Sequence, residues 1–227
     1  MVHLVCFLPA SIMLGATGGR TLAEAHSLPG WTDDKERQVE LAMELMKTCW
    51  AMYAVTLTGL APEIAWFDVA EADLDPRPGD RRPLGRRSRN GLAAWKGDVI
   101  IKPRDAHNLQ RPETVESLFV MWRVTENPLY REWGWQIFQS FQRWAYVGPS
   151  KGYTSLHHVD VVPPGPRDNM ESFWMAETLK YLYLLFSPVD FLLLHELVFT
   201  TEAHIFPRSQ SKWGTGWERS NRSRREE

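Results

Sequence analysis

Four stretches of the chain repeat apolar residues at helical spacing, and that periodicity leaves few fold classes open. In 112–125, Val115, Leu118, Phe119 and Trp122 stand at i, i+3, i+4 and i+7, one stripe of a helix that Pro112 is suited to open at its first position. Over 33–57 the stripe is Val39, Ala42, Leu45, Met46, Cys49 and Tyr53, and Thr58-Gly59 ends it. From Asn127 as cap and Pro128 at the first helical position, Tyr130, Trp133, Ile137, Phe141 and Trp144 share a face. Asp168 and Glu171 have the spacing of a capping box, and Phe173, Glu177, Lys180, Tyr181 and Leu185 continue from it. Ser187-Pro188 reads as the cap of a last short helix, and 199–208, FTTEAHIFPR, as an extended segment closing the ordered part. With little strand signal and no repeat of fixed period, the expectation is all-α: helix after helix, joined by loops of uneven length.

The segments between are as informative. Residues 69–98 are rich in Pro, Gly, Arg and Asp without apolar period and read as an inserted loop; 146–167 read as loop with one short hairpin; 209–227 read as a disordered tail. Basic residues concentrate in RRPLGRRSR and RSNRSRR beside Gly, Ser or Pro, and the net charge is −2, so no nucleic-acid stripe is present. Residues 1–19, MVHLVCFLPASIMLGATGG, resemble a signal peptide in their apolar core, but lack a basic leading region and are broken by His3 and Pro9; a buried helix of the fold is preferred to a targeting segment. Two cysteines, Cys6 and Cys49, are too few for a disulfide scaffold. The tail carries a glycosylation sequon, Asn221-Arg222-Ser223. Eleven Trp and ten Phe demand burial or a ligand with an apolar face, such as a sugar ring.

Acids recur at loop-to-helix junctions: Glu63, Glu113 and Glu116, Glu171 and Glu177, and Glu202. Each alone is ordinary first-turn chemistry, stabilised by the helix dipole. Together, beside Pro and aromatic residues, they describe a cavity in which rings stack on a pyranose and carboxylates accept its hydroxyls. Hydrolysis of a glycoside needs two carboxyl groups flanking the bond, widely spaced if the anomeric centre is inverted. Oxygen donors such as those of Thr200, Thr201 and Glu202 also suit Ca²⁺ with a shell of water.

The strings HLVCFLP, GLAPEIAWF, LQRPETVESL, YREWGW, RDNMESFWMAETLKYLYLLFS and TTEAHIFPR, in that order, resemble the C-terminal half of the class I α-mannosidases, glycoside hydrolase family 47, and among them the fungal endoplasmic-reticulum type. The resemblance implies an (α/α)₇ barrel, here incomplete and made of its C-terminal helices, with 1–208 as part of the catalytic domain. It implies calcium-dependent, inverting removal of terminal α-1,2-linked mannose from high-mannose N-glycans in the lumen of the endoplasmic reticulum or early secretory pathway. Glu113 then becomes the base that activates water and Glu63 a second active-site acid. Thr201 becomes the Ca²⁺ ligand through its hydroxyl and carbonyl. Arg111, Glu116, Phe173, Glu177 and Glu202 line the −1 sugar site or hold calcium-bound waters, His3 lies near the base, and Cys6 pairs with Cys49.

Family domains run to roughly twice this length, so the acid that protonates the leaving group, and any membrane anchor, fall upstream of these residues. Val2 stands where the family has Asp. Half a closed barrel would also expose apolar seams. Two other readings follow: a catalytically dead carbohydrate-binding fragment, and a helical interaction domain whose acids are surface features.

Overall fold

Helices form where an apolar stripe and a capping side chain agree, and the computed structural model, which describes residues 1–68 and 94–208, contains six. A 3₁₀ turn over His3–Phe7 leads into α1 (Leu8–Thr17), closed by Gly18 in the left-handed conformation. The short α2 (Leu22–His26) starts from a capping box in which Thr21 and Glu24 satisfy one another's backbone N–H. The 22-residue α3 (Asp33–Ala54) has the Thr32 side chain accepting from the Lys35 N–H, with Asp33, Asp34 and Glu36 in its first turn. Next come α4 (Glu113–Thr125) and α5 (Leu129–Trp144); Pro128 stands one position ahead of α5, and the Asn127 side chain before it accepts the Leu129 N–H at 3.0 Å. Pro112 stands one position ahead of α4. The last helix, α6 (Leu179–Phe186), grows directly out of a π-helical turn over Trp174–Thr178.

Three antiparallel two-stranded ribbons tie the loops down: β1 (Trp66–Phe67) with β2 (Val99–Ile100), β3 (Tyr146–Gly148) with β4 (Gly152–Tyr153), and β5 (Leu197–Phe199) with β6 (Ile205–Pro207). The second is the short hairpin expected in 146–167. The third shows that FTTEAHIFPR is no single extended segment but strand, turn and strand. Of the expected insertion 69–98, the described residues Ala94–Asp98 form a 3₁₀ turn leading into β2; the rest, like the tail 209–227, lies outside the described residues.

Two expected helix starts fail, each for a local reason. Asp168 is not a cap: it has φ 57°, its N–H donates to Thr154 Oγ1 (3.1 Å), and the neighbouring backbone pairs with Ser155, so the left-handed geometry excludes the extended conformation a capping box needs. No helix follows Ser187-Pro188 either. The buried guanidinium of Arg123 takes the carbonyls of Leu184, Val189 and Phe191 at 3.0, 2.6 and 2.8 Å, holding the chain there as turns.

At the centre lies α4, packed by α1, α3, α5, α6 and the first 3₁₀ turn. Ten of its 13 residues are buried, so it is covered all round and not along one stripe. Gly134 lets α5 cross α6 closely, since a Cβ there would sit 2.2 Å from Leu185 Cδ2. Cys6 and Cys49 are bridged, joining the first 3₁₀ turn to α3, and Ser117 Oγ donates to the Cys6 carbonyl from α4. The outward faces stay apolar: Tyr183, Met175, Phe206 and Trp135 are 67, 63, 56 and 49% exposed, and an open groove of about 520 Å³ runs between α5 and α6. No helix of the described residues is long and apolar enough to cross a membrane.

Candidate active site

The start of α4 collects the acids. Glu113 is its first residue, 7% exposed, and its Oε2 lies 2.9 Å from Nδ1 of His3, which is itself buried at 2%. The other imidazole nitrogen, Nε2, is 2.7 Å from the Tyr53 hydroxyl on α3 and 3.3 Å from Thr114 Oγ1. Burial alone would raise the Glu113 carboxyl. The hydrogen bond with His3, the N–H of Glu113 itself at the helix start and the nearby Arg111 together outweigh it, and Glu113 is held below the usual carboxylate range.

Arg111 bridges to a second acid. Its Nε donates to both oxygens of Glu63, at 2.7 and 2.9 Å, and the guanidinium lies 5.7 Å from the centre of the Phe173 ring. The Glu63 bond raises the guanidinium further above its already high value, against burial. The Glu63 backbone is fixed too: its carbonyl accepts the His3 N–H at 2.9 Å, and its N–H reaches the carbonyls of Asp105 and His107. Glu63, Arg111, Glu113, His3 and Phe173 thus form one connected group.

One turn along α4, Glu116 meets the opposite electrostatics. Burial, then the charges of Glu113 and Glu177, push it up to about 7, and only a long hydrogen bond from Tyr181 Oη (3.4 Å) opposes them. Glu177, in the π turn, is raised by burial and by the charges of Glu113 and Glu202. Glu116 and Tyr181 line a cavity of about 500 Å³ between α1, α4, α6 and the β5–β6 hairpin, with Phe119 and Phe199 among its walls.

Thr201 and Glu202 sit exposed on the β5–β6 turn, which Lys180 Nζ pins to α6 by donating to the Ala203 carbonyl at 2.9 Å. Glu202 reaches the acid group through its field on Glu177, while its Oε2 lies 3.6 Å from His204 Nε2. Among the described residues no hydrogen bond or ion pair joins Thr201 to Glu113.

The fit of a cation can be judged from this donor set. Among the described residues no three His, Cys, Asp or Glu side chains form a metal cluster, so these residues offer no all-protein cage. What they offer is a hydroxyl and carbonyl at Thr201 and two carboxyl groups, Glu116 and Glu177, that burial first and neighbouring acids second hold above the ordinary carboxylate range. That suits a hard, oxygen-ligated, largely hydrated ion.

Sequence reasoning missed two members of the group. Tyr53 counted as one more apolar position of the α3 stripe, and Thr114 carried no signal at all. The periodicity of Tyr53 says that it is buried; nothing local says what its hydroxyl touches.

Comparison with known proteins covers nearly all the described chain. A family model described as glycosyl hydrolase family 47 matches residues 1–208. The chain is 49% identical over 207 residues to a mannosyl-oligosaccharide 1,2-alpha-mannosidase of Arabidopsis thaliana, covering 91% of this chain and 32% of that protein. It is 46% identical to the endoplasmic reticulum mannosyl-oligosaccharide 1,2-alpha-mannosidase of Schizosaccharomyces pombe (93% of this chain, 36% of the relative) and 47% identical to that of Homo sapiens (91% and 25%). Its fold matches the solved alpha-1,2-mannosidase from Trichoderma reesei with a TM-score of 0.69 and 26% identity, over 91% of this chain and 39% of that one. The chain therefore spans about a third of the length of the relatives it matches.

Proposed function

The chain belongs to glycosyl hydrolase family 47, and on that footing we propose that the face carrying Glu113 is one wall of a mannosyl-oligosaccharide 1,2-α-mannosidase active site. Its substrate is a terminal α-1,2-linked mannose of a high-mannose N-glycan, cleaved with inversion and with Ca²⁺ bound, in the lumen of the endoplasmic reticulum or an early secretory compartment. The names of the relatives support the substrate and compartment, and a disulfide suits an oxidising lumen. The observation that carries the reading is Glu113: a carboxylate almost wholly out of water, yet kept ionised by His3 and Arg111.

Such a group accepts a proton at any pH above its own titration, which is what the base of an inverting glycosidase does to the attacking water. Glu63, locked to Arg111, holds that cation beside the base, and Phe173 presents a ring on which a pyranose face can stack. Arg111 offers its remaining N–H groups to sugar hydroxyls. Thr201 would hold the calcium ion through hydroxyl and carbonyl, with Glu116, Glu177 and Glu202 holding its waters. When bound, the ion supplies positive charge against these acids and orients sugar hydroxyls.

Two measurements test this. Millimolar Ca²⁺ should raise the melting temperature, by a stabilisation of about 2.7 kcal/mol at a hundredfold excess over Kd, and Thr201→Ala should abolish the rise. Mannose release from an α-1,2-linked substrate should vanish in Glu113→Gln with the fold intact; an active Glu113→Gln protein would sink the assignment. A second reading is sugar binding without turnover by residues 1–208 taken alone, which match about a third of the length of the relatives. Binding of the substrate without mannose release selects it.

A further inference from the structure

Three buried groups stand in a row across the interface between α3, the first 3₁₀ turn and α4. Tyr53 is 1% exposed, with its hydroxyl 2.7 Å from His3 Nε2, and the two rings meet edge to face at 5.8 Å between centroids. On the far side His3 Nδ1 is 2.9 Å from Glu113 Oε2.

For a neutral His3 the row allows one proton arrangement at the imidazole. An ionised carboxylate only accepts, so Nδ1 must carry the proton it shares with Glu113. A neutral imidazole then has Nε2 as acceptor, and Nε2 needs a donor. Two hydroxyls face it, and Tyr53 at 2.7 Å is much nearer than Thr114 Oγ1 at 3.3 Å; burial, reinforced by the Glu113 charge, keeps the phenol protonated and so able to donate.

We infer that Tyr53 is a positioning residue for the reaction: its buried hydroxyl, acting at Nε2 while the Glu113 carboxylate acts at Nδ1, reinforces the Nδ1–H tautomer of His3, and that tautomer commits Oε2 of Glu113 so that the proton from water goes to Oε1. The inference rests, for its role in catalysis, on Glu113 being the base. A second staple runs beside the row. Cys49 lies one turn before Tyr53 on α3 and Cys6 one turn beyond His3, so the disulfide joins the same two elements that the Tyr53–His3 bond joins. The relative position of ring and hydroxyl is thereby fixed from both ends.

The test is nitrogen NMR of the imidazoles in the ¹⁵N-labelled full chain at pH 7, without calcium or substrate, with the signals of His3 identified among seven histidines by their loss in His3→Gln. The native chain should show His3 with Nδ1 protonated and Nε2 bare. Tyr53→Phe should raise the Nε2–H form by about fivefold to tenfold, the worth of one net hydrogen bond. A native His3 protonated at Nε2 overturns the inference, whether or not Tyr53→Phe folds, and so does an unchanged tautomer ratio in a folded Tyr53→Phe. Because no turnover is read, a chain that releases no mannose leaves this result standing, and a wrong tautomer leaves the mannosidase reading standing.

Discussion

Removing the disulfide with Cys6→Ala/Cys49→Ala should cost this fold a definite and large amount. The two residues are 43 apart in sequence. Closing a loop of that size takes an entropy of about 13 cal/mol/K out of the unfolded chain, worth about 4 kcal/mol at 25 °C. On the folded side each alanine keeps its Cβ, and the void left by two buried sulfur atoms acts in the same direction. In a domain of this size 1 kcal/mol corresponds to about 2–4 °C, so the melting temperature should fall by about 8–16 °C. Calorimetry and guanidinium titration of native and double-variant chains measure it, and the slope of the titration should steepen as the unfolded chain expands. The wild-type chain in reductant should reproduce the loss. A drop of under about 3 °C would refute the reasoning, because it would mean that 3₁₀ turn and α3 are held together without the link.

Three further outcomes follow from single side chains. Arg123→Ala should destabilise by about 3 kcal/mol or more, since three carbonyls in the 184–191 segment lose their donor, and Arg123→Lys should recover little of it; denaturant midpoints decide. Gln110→Leu should stabilise the chain by about 1–2 kcal/mol in the same assay, because the Gln110 amide is fully buried and neither of its atoms has a partner among the described residues. Glu116, raised to about 7, favours the folded state while protonated: its contribution is complete below the unfolded value near 4.5 and lost as pH rises through 7, about 3 kcal/mol in all without divalent cation. Glu116→Gln should flatten that part of the stability–pH curve, and an unaltered curve would remove Glu116 as its source.

Much of the helical scaffold could be read from the chain because α3 and α5 satisfy a local rule: a stripe on one side and a capping side chain at the start. The failures occur where a distant group overrides the local one. Asp168-x-x-Glu171 has the spacing of a capping box, yet pairing with Ser155 fixes the backbone first, while the real box at Thr21 and Glu24 opens a helix too short to show a period. Ser187-Pro188 is a sound cap signal defeated by Arg123, 61 residues before the Leu184 carbonyl that it binds. The helix α4 misleads in another way. A stripe is visible in it, but the elements that cover its remaining sides lie elsewhere in the chain, and only their packing reveals a central helix.

The same limit governs the acids. Glu113 and Glu116 share one helix start, one dipole and one burial environment, and pattern alone treats them as equals. They diverge because their partners differ: His3, 110 residues away, with Arg111, draws Glu113 down, whereas Tyr181, 65 residues away, offers Glu116 one long bond against the charges of Glu113 and Glu177. Two carboxyl groups set apart in this way can divide labour, one always ready to accept a proton and the other ready to gain or lose its charge when a cation arrives. Neutralising Glu113 should therefore act on its neighbour as well: with that charge gone, Glu116 in Glu113→Gln should titrate below its native value. Carboxyl-carbon NMR reads this directly, and a Glu116 midpoint that stays near 7 would show that burial alone, and not the shared helix start, holds it there.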